Sequence, residues 1–290
     1  MTGTIIRGMG GLYYVRGDDD SVCYVLRARG RLRHEHATPL VGDRVDFAPG
    51  EGEIHGWLEQ IHPRVTECIR PPVANVERLL LVIAPTPAPD LLLIDRLLVR
   101  AQQTGMDAVL CVNKCDMDDS LVEKIRQEYA ILPVLAVSAQ RGDGMEQLRA
   151  QMMGKLCCFA GQSGVGKSTL LSALLGIELK TGEMSQKIAR GKHTTRHTEL
   201  LEGASLRVLD TPGFSLLALE TGMDPIALQD YYPEMQTLTA LCRFQPCLHD
   251  QEPGCAVREA ASCGKIAPER LARYQILLAE ARQSWRERYD

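Results

Sequence analysis

Residues 161–168 have the sequence GQSGVGKS, which fits the phosphate-binding pattern G-x-x-x-x-G-K-[ST]. An apolar run typical of a strand precedes it, and a run typical of a helix follows it. In such a loop, backbone N–H groups surround phosphate oxygens, Lys167 contacts the β- and γ-phosphates, and the Ser168 hydroxyl binds Mg²⁺. The sequence therefore predicts a nucleoside triphosphate site with these phosphate-binding residues: Gly161, Gln162, Ser163, Gly164, Val165, Gly166, Lys167, Ser168 and Thr169.

A second motif, NKCD at residues 113–116, predicts which base is bound. The Asp116 carboxylate can accept two hydrogen bonds from guanine, one from N1–H and one from the exocyclic amine. Adenine presents the reverse pattern at that edge, so ATP would leave the carboxylate unpaired at a cost of several kcal/mol. We therefore predict a guanine site in which Asn113 braces the loop, Lys114 packs along the base, and Cys115 and Asp116 complete the motif.

Two shorter motifs also follow apolar runs. Ser138 and Ala139 come after the run at residues 131–137, and a backbone N–H there would donate to guanine O6. The tetrapeptide DTPG at residues 210–213 comes after the run at 206–209. Taken alone it is a common turn, but after a phosphate loop it indicates a γ-phosphate sensor. Asp210 would hold Mg²⁺ through water, and the Gly213 N–H would contact the γ-phosphate.

The order of these motifs is unusual. The base motif comes first, followed by Ser-Ala, the phosphate loop and the sensor, which is a rotation of the order in an ordinary GTPase. All four lie where strands are predicted to end, and this edge is where open α/β sheets bind ligands. Because the termini of compact domains often lie close together, a rotated order can leave the sheet intact. We therefore predict a circularly permuted GTPase.

The segment ARGKHTTRHTEL at residues 189–200 lacks an apolar period and is predicted to be a switch. Thr194 or Thr195 would ligate Mg²⁺ or hold the γ-phosphate, and the spacing does not decide which. The predicted magnesium set is therefore Ser168, Thr194, Thr195 and Asp210. The alternative is a solvated basic loop that binds no metal.

Phe214 occupies the position where Ras-like enzymes have the glutamine that orients the attacking water. Phe cannot orient water, so we expect slow unaided hydrolysis and a water placed by another group or by a partner. His193 is the candidate catalytic residue because an imidazole can orient or deprotonate water. The alternative for His193 is a contact with RNA phosphate.

Three cysteines and one histidine form the pattern C-x₄-C-x-H-x₅-C at Cys242, Cys247, His249 and Cys255. Three thiolates and an imidazole suit tetrahedral Zn²⁺, and four protein ligands indicate one closed structural site. Cys263 has no assigned partner and is expected to be a buried thiol. Cys157 and Cys158 are expected to be core residues on opposite sides of a strand.

The chain has 290 residues, 45% of them hydrophobic and 24% charged, which is typical of a globular protein with two or three domains. Its apolar runs are too short to cross a membrane, and no export leader is recognised. With ten cysteines and no leader, we expect a cytoplasmic protein with reduced thiols and no membrane partner. Because the net charge is −4, any nucleic acid must be bound by local basic patches.

Three segments differ in pattern. Residues 1–69 have short alternating runs between turns, which predicts a small antiparallel barrel. Residues 70–223 alternate apolar strands with amphipathic helices, which predicts a doubly wound parallel sheet. Residues 224–290 read as helical, with a cysteine-rich insertion. The last helix has an apolar stripe at Leu271, Tyr274, Leu278, Ala281 and Trp285.

The sequence resembles the RsgA family of circularly permuted GTPases, which help to mature the small ribosomal subunit. The resemblance covers essentially the whole chain and includes GG-YYV, RGRLR, PLVGDRV, RPPVANVE, NKCD, GQSGVGKSTL, GKHTTRH, DTPGF and EPGCAV. It implies an all-β OB-fold barrel at 1–69, an α/β permuted GTPase at 70–223 and a mainly helical zinc domain at 224–290. His193 matches the histidine of the family's switch pattern.

The resemblance also implies a function. The expectation is a monomeric GTP hydrolase of the cytoplasm that uses GTP with Mg²⁺ and carries one structural Zn²⁺. It would act late in small-subunit assembly, bind ribosomal RNA, and be stimulated by the ribosome. The alternative is a nucleotide-gated RNA-binding module whose hydrolysis is incidental. Asp116 disfavours a third possibility, an ATPase.

Two sets of arginines are candidates for RNA contacts. Arg27, Arg29, Arg31 and Arg33 alternate and would form one row on an extended chain. A turn at Gly30 would split that row, and a solvated hairpin is the alternative. On the last helix, the second candidate set is Arg270, Arg273, Arg282 and Arg286. That set is either a second basic patch or the helix's exposed face.

Permutation also has a mechanical consequence, because the chain enters the zinc segment directly after DTPGF. We hypothesise that GTP orders this connection and so sets the pose of the zinc segment and its affinity for the ribosome. Equal ribosome affinity in the GTP and GDP states would exclude this hypothesis.

Overall fold

The computed structural model describes residues 1–30, 32, 38–50, 55–68, 71–177, 198–210 and 222–288. The chain forms two compact units, and each is built from separate stretches. The first unit contains Met1–Leu80, Met145–Ala160 and Gly166–Phe214. The second contains Leu81–Gly144, Gly161–Val165 and Ser215–Asp290. The segment bounds 1–69, 70–223 and 224–290 stay predictions.

The strands in the described ranges are β1 Thr2–Met9, β2 Leu12–Gly17, β3 Cys23–Ala28, β4 Arg44–Ala48, β5 Gly56–Ile61, β6 Glu67–Cys68, β7 Val73–Ala74, β8 Arg78–Ile83, β9 Asp107–Val112, β10 Val134–Ala136, β11 Leu156–Ala160, β12 Glu199–Gly203 and β13 Leu206–Asp210. The α-helices are α1 Leu91–Thr104, α2 Ser120–Glu128, α3 Met145–Met152, α4 Lys167–Leu175, α5 Pro233–Thr239, α6 Ala256–Ser262 and α7 Pro268–Glu287. A 3₁₀ helix covers Pro225–Tyr231.

Five strands of the first unit close into a barrel in the order β1-β2-β3-β5-β4, with β4 pairing back onto β1. The pair β3–β5 is parallel and the other pairs are antiparallel. Inward-facing apolar side chains fill the barrel, including Ile5, Val15, Leu26, Phe47 and Leu58. The predicted OB-like barrel is therefore confirmed.

The first barrel strand does not follow a regular alternation of buried and exposed residues. The register of β1 against β2 shifts between Ile5 and Arg7, so Ile5 and Ile6 are both buried although they are adjacent. This bulge breaks the alternation that identifies a half-buried strand. Because the chain bulges here, the period-2 signal is lost over residues 2–9.

The first unit also contains β11, β13 and β12. All five residues of β11 are buried, and β11 pairs in parallel with β13. Strand β12 runs antiparallel to β13 and pairs with the barrel strand β1 at Arg7↔Glu199. The predicted parallel sheet therefore carries an antiparallel strand that the sequence pattern did not indicate.

The second unit has a sheet region and a helical region. Strands β9 and β10 are parallel, and β8 is the next strand beyond β9. Helix α1 begins after Asp90, whose carboxylate accepts from the Leu93 N–H at 2.9 Å, and ends at Gly105 in a left-handed conformation. Helices α5–α7 pack around the buried rings of Tyr232 and Tyr274. Four residues of the predicted α7 stripe are buried, and Trp285 is half-buried.

A buried ionic network joins α1 to α7 within this unit. Asp95 on α1 is fully buried and accepts from Tyr129 Oη at 2.6 Å, from Arg270 Nη1, and from Arg273 Nε at 2.7 Å. Arg270 also donates from Nε to Glu234 Oε1 at 2.7 Å. Burial by itself lowers the pKa of Arg270, but the charges of Asp95 and Glu234 outweigh it and raise that pKa. Arg270 therefore stays charged inside the fold.

This network corrects the interpretation of two arginines. Arg270 is only 3% exposed and Arg273 is mostly buried, so neither belongs to a basic patch or to an exposed face. Arg282 donates to Asp250 at 2.7 Å, and Arg286 is exposed. A buried cation next to a fixed carboxylate stabilises packing and leaves no charge for RNA.

The sequence also predicts the burial of three cysteines outside the metal pattern. Cys157 and Cys158 are buried on β11, as expected. The expectation for Cys263 was wrong, because Cys263 is exposed at the end of α6.

None of the helices in the described part of the chain has the length and apolar composition needed to span a lipid bilayer.

We expect Arg270→Met to lower the free energy of unfolding of the second unit by about 3–5 kcal/mol, because it leaves the Asp95 charge buried without its main partner. Hydrogen exchange of the α7 amides as a function of urea measures this change. Arg286→Met, on the exposed face of the same helix, is the matched control and should change stability by less than about 0.5 kcal/mol. Equal effects of the two substitutions would contradict a stabilising role for the network.

Candidate functional site

Asn113 links three loops of the second unit. It follows β9 directly, its backbone N–H donates to Ile83 O at 2.8 Å, and it is 2% exposed. Its side-chain Nδ2 donates to Val165 O at 2.9 Å, and its Oδ1 accepts from the Ala139 N–H at 3.3 Å. One amide side chain therefore connects the NKCD motif, the first part of the phosphate loop and the Ser-Ala segment. These contacts support the bracing role that the sequence predicts for Asn113.

Lys114 lies across the phosphate loop. Its backbone adopts the left-handed region at φ 59°, which is unusual for a residue with a side chain. Its Nζ donates to Gly164 O at 2.9 Å and to Thr86 O at 2.6 Å. The ammonium is therefore held by two carbonyls, and the loop is fixed against the chain that follows β8.

Asp116 is exposed at the tip of the motif, where the Met117 N–H donates to Lys114 O at 3.0 Å and closes a turn. Its carboxylate is therefore accessible to a ligand. Cys115 is half-buried, and its N–H donates to Val137 O at 3.2 Å. Burial raises the pKa of the Cys115 thiol, and the charges of Asp143 and Asp116 raise it further. Both effects favour the neutral form of the thiol.

The Ser-Ala segment is held tightly at the end of β10. Ser138 is buried, and its Oγ accepts from the Arg141 N–H at 3.1 Å. The N–H of Ala139 is directed at Asn113 Oδ1. A hydrogen bond from the Ala139 N–H to guanine O6 would therefore share this donor with Asn113 Oδ1.

The first part of the phosphate loop needs glycine at one position. Gly161 has φ 134°, and a Cβ there would lie 2.2 Å from Val82 O, which excludes any side chain. The Gln162 side chain donates from Nε2 to Ala88 O at 3.0 Å, and its Oε1 accepts from the Asp90 N–H at 2.7 Å. Gln162 therefore ties the loop to the N-terminus of α1. No signal in the sequence indicates this contact, because the partners lie 72 residues apart.

The rest of the phosphate loop lies in the first unit and leads into α4. Gly166 caps this helix with φ 94°, and Lys167 and Ser168 are its first half-buried residues. Burial lowers the pKa of Lys167, and the nearby charge of Asp210 opposes that effect. Asp210 ends β13, which runs parallel to β11 with Cys158 opposite Leu209. The first unit thus brings a lysine, a serine hydroxyl and a carboxylate to the same edge of the sheet.

The predicted switch residues lie outside the described ranges. His193, Thr194, Thr195 and Gly213 all fall in residues 178–197 or 211–221. Their assignments as the catalytic histidine, the candidate magnesium ligands and the γ-phosphate contact stay predictions.

The four predicted metal ligands converge in the second unit. Cys242, Cys247, His249 and Cys255 are all buried, and their ligand atoms lie within 4.8 Å of one another. His249 Nδ1 lies 3.3 Å from Cys255 Sγ and 3.7 Å from Cys242 Sγ, and the two sulfurs are 3.9 Å apart. A tetrahedral ion with Zn–S bonds of about 2.3 Å separates its ligand atoms by about 3.5–3.8 Å. The observed spacing therefore fits a tetrahedral metal ion.

The surroundings of the cluster orient its histidine. His249 Nε2 lies 2.9 Å from Gln229 Oε1 on the 3₁₀ helix. An Nε2–H donated to Gln229 leaves Nδ1 as the metal-binding nitrogen. Burial lowers the pKa of His249, which favours the neutral imidazole that binds metal. Burial also raises the pKa of the Cys247 thiol to about 12, so metal binding must displace its proton.

Comparison with known proteins agrees with this arrangement. The family described as RsgA GTPase matches residues 61–220, and the RsgA N-terminal domain matches residues 2–57. Relatives named small ribosomal subunit biogenesis GTPase RsgA include those of Ruminiclostridium cellulolyticum and Moorella thermoacetica. The first is 41% identical over 94% of this chain and 91% of the relative. The second is 43% identical over 97% of each.

Two solved structures share the fold. YjeQ from Thermotoga maritima superposes with a TM-score of 0.83 at 31% identity, covering 97% of this chain and 98% of that one. YloQ, described as a circularly permuted GTPase, has a TM-score of 0.78 at 30% identity, covering 97% and 95%. Motif order, site geometry, sequence and fold agree along nearly the whole chain, and the protein belongs to the RsgA GTPase family of circularly permuted GTP hydrolases.

Proposed function

We propose that this GTPase acts in the assembly of the small ribosomal subunit, that the subunit stimulates its GTP hydrolysis, and that it binds ribosomal RNA. The observation that carries the proposal is the match of residues 61–220 to the RsgA GTPase family, and the Asn113 side chain, which links the base motif to the first part of the phosphate loop, supports the nucleotide site. The name that relatives share, small ribosomal subunit biogenesis GTPase, supports the choice of particle. The chain works in the cytoplasm as a monomer.

Guanine is bound by the motif at the end of β9. The exposed Asp116 carboxylate accepts from N1–H and from the exocyclic amine, and the Lys114 stem packs along the base. The two hydrogen bonds that hold Lys114 Nζ support this role, because they fix the stem before a ligand arrives. Asn113, Cys115, Ser138 and Ala139 complete the base site.

The phosphates are bound by residues 161–169. Backbone N–H groups of the loop and the first turn of α4 contact phosphate oxygens. Lys167, which is partly desolvated and interacts with the opposite charge of Asp210, contacts the β- and γ-phosphates. Ser168, Asp210 and one of Thr194 and Thr195 would hold the Mg²⁺ that arrives with GTP, and this ion neutralises charge on the transferred phosphoryl group.

The catalytic water is placed by His193 when the small subunit is bound. Phe214 has no polar side-chain atom with which to orient water, so another residue must do so. Hydrolysis by the free protein is therefore slow. Stimulation by the subunit then acts as a checkpoint, because the protein leaves only after GTP is converted to GDP.

The cluster of three cysteines and one histidine holds a structural Zn²⁺. Thiolate and imidazole ligands at tetrahedral spacing favour zinc over magnesium or calcium, which prefer oxygen. All four ligand positions come from the protein, so the ion takes no part in hydrolysis. It links the 3₁₀ helix, the loop before α6 and the end of α5 through Gln229 and the four ligands.

Purified small subunits should raise GTP turnover by on the order of 100-fold or more, and ATP should not be hydrolysed, because a partner must place the water and Asp116 excludes adenine. Phosphate release with each nucleotide measures this. Lys167→Ala should reduce stimulated turnover by about 100-fold and trap the protein on the particle. Lys124→Ala, an exposed lysine on α2, is the control and should change neither.

Two outcomes of this assay separate the alternatives. A Lys167→Ala protein that dissociates from the particle as readily as the unsubstituted chain favours an RNA-binding module with incidental hydrolysis. A His193→Ala protein with full stimulated turnover excludes the catalytic role of His193.

Asp116→Asn should lower GTP affinity by on the order of 100-fold and improve binding of xanthosine triphosphate, because an amide donates to the O2 carbonyl of xanthine and accepts from its N1–H. Competition between the two nucleotides measures the change. The matched control is Asp119→Asn, which removes an equal charge three residues later at an N-cap without a side-chain hydrogen bond. Unchanged GTP preference in Asp116→Asn would show that another group reads the base.

Removing the metal from the cysteine–histidine cluster should unfold residues around it while leaving the barrel folded, because three buried thiols and an imidazole lose their common ligand. Metal analysis should find about one zinc per chain, and hydrogen exchange after chelation should increase in α5 and α6. Cys247→Ser should reproduce this effect, whereas Cys263→Ser, at an exposed thiol outside the cluster, should not. Full zinc content in Cys247→Ser would contradict the site.

A further inference from the structure

An exposed tryptophan lies on the outer face of the barrel. Trp57 on β5 is 42% exposed, while its neighbours Gly56 and Leu58 are buried, so its indole is directed outward. Strand pairing places it in register with Arg27 on β3 and with Ala48 on β4. Arg27 is in turn opposite Leu12 on β2. The four residues form one row across four strands, which we call the Trp57 row.

Arg27 differs from the other arginines of the barrel strands. The others pair with carboxylates: Arg7 with Glu199, Arg16 with Glu202, and Arg44 with Asp18. Arg29, just beyond β3, pairs with Glu59 at 3.2 Å. Arg27 is exposed, and no carboxylate in the described part of the chain pairs with it. The indole of Trp57 therefore lies beside a cation whose charge is not neutralised within the barrel.

The Trp57 row lies at one end of the barrel. Leu12 directly follows the β1–β2 turn at Gly10–Gly11, where both glycines have positive φ. Ala48 ends β4 and Trp57 is the second residue of β5, so both border the β4–β5 connection. In five-stranded barrels of this topology, oligonucleotides bind the face of strands 2 and 3 and the loops β1–β2 and β4–β5. The Trp57 row therefore lies on the part of the barrel surface at which this fold binds oligonucleotides.

We propose that Trp57 stacks on an unpaired base of single-stranded RNA, with Arg27 contacting the adjacent phosphate. This inference rests on the proposed function and specifies the kind of RNA that the barrel takes. An exposed planar indole matches the face of a base, and that face is accessible only where the strand is unpaired. Binding through phosphates alone needs several uncompensated cations, and the four residues of the Trp57 row include one, Arg27.

The chain offers a direct optical test, because it contains two tryptophans, Trp57 and Trp285. In the full-length Trp285→Phe protein, Trp57 is the only indole. Titration with a short unstructured RNA should quench its fluorescence saturably, since a stacked base quenches an indole. A duplex of the same sequence should quench it weakly, because its base faces are covered.

Affinities measured with the same labelled RNA should depend on the ring at residue 57. Trp57→Ala should weaken binding by about tenfold or more, and Trp57→Phe should retain most of the affinity. Arg27→Gln should weaken binding less and reduce the salt dependence by about one phosphate contact. Trp285→Phe, at the half-buried tryptophan on α7, is the matched control and should leave affinity unchanged. Basal GTP turnover should be unchanged in all four variants.

Three results would overturn the inference. Equal quenching and affinity with the duplex would mean that the row contacts phosphates and does not stack on bases. Unchanged RNA affinity in Trp57→Ala would remove the stacking role. Weaker binding of Trp57→Ala to small subunits without weaker binding to RNA would indicate a ribosomal protein at this surface. If subunits still stimulate GTP turnover in these cases, only this inference fails, whereas loss of stimulation in the unsubstituted protein defeats the proposed function.

Discussion

The buried amide of Asn113 is the interaction on which the base site depends. Its two polar groups are satisfied by Val165 O and the Ala139 N–H, so the side chain holds the phosphate loop and the Ser-Ala segment at fixed positions. An apolar replacement would leave both partners buried and unpaired, at about 1–3 kcal/mol each. Lys114 adds a second connection, through Gly164 O. The NKCD motif, the Ser-Ala segment and the first part of the phosphate loop are therefore held together within the second unit.

Buried polar contacts also stabilise the helical region of the second unit. Helices α5 and α6 have seven residues each, too short to bury a large apolar face. The cluster of three cysteines and one histidine and the Asp95 network add buried polar contacts to this small core. Both are buried. The Asp95 network joins α1 to α7 across 175 residues and so restricts how these two helices pack, whereas the cysteine–histidine cluster joins residues of the segment between α5 and α6. Gln162 continues the connection from α1 to the phosphate loop.

Sequence patterns predicted the elements wherever a local period was intact. The buried strand β11, the helix α4 after the phosphate loop and the stripe of α7 follow from periodicity. Strand β1 lacks a regular period because a bulge shifts its register against β2. The antiparallel strand β12 follows a segment without any apolar period. Arg270 was placed on a solvated surface because charged residues usually lie there, and its buried carboxylate partner is 175 residues away.

The sequence alone was enough to recognise the phosphate loop, the NKCD motif, the rotated motif order and the cysteine–histidine pattern whose four side chains the structure brings together. Each of these is a short pattern whose chemistry requires given residue types at given spacings. The tertiary structure decided which partners those residues have: Gln162 with Asp90, Asp95 with Arg270, and Trp57 beside Arg27. Such contacts depend on how strands and helices pack in space, and residues tens to hundreds of positions apart leave no local period from which their contact can be predicted.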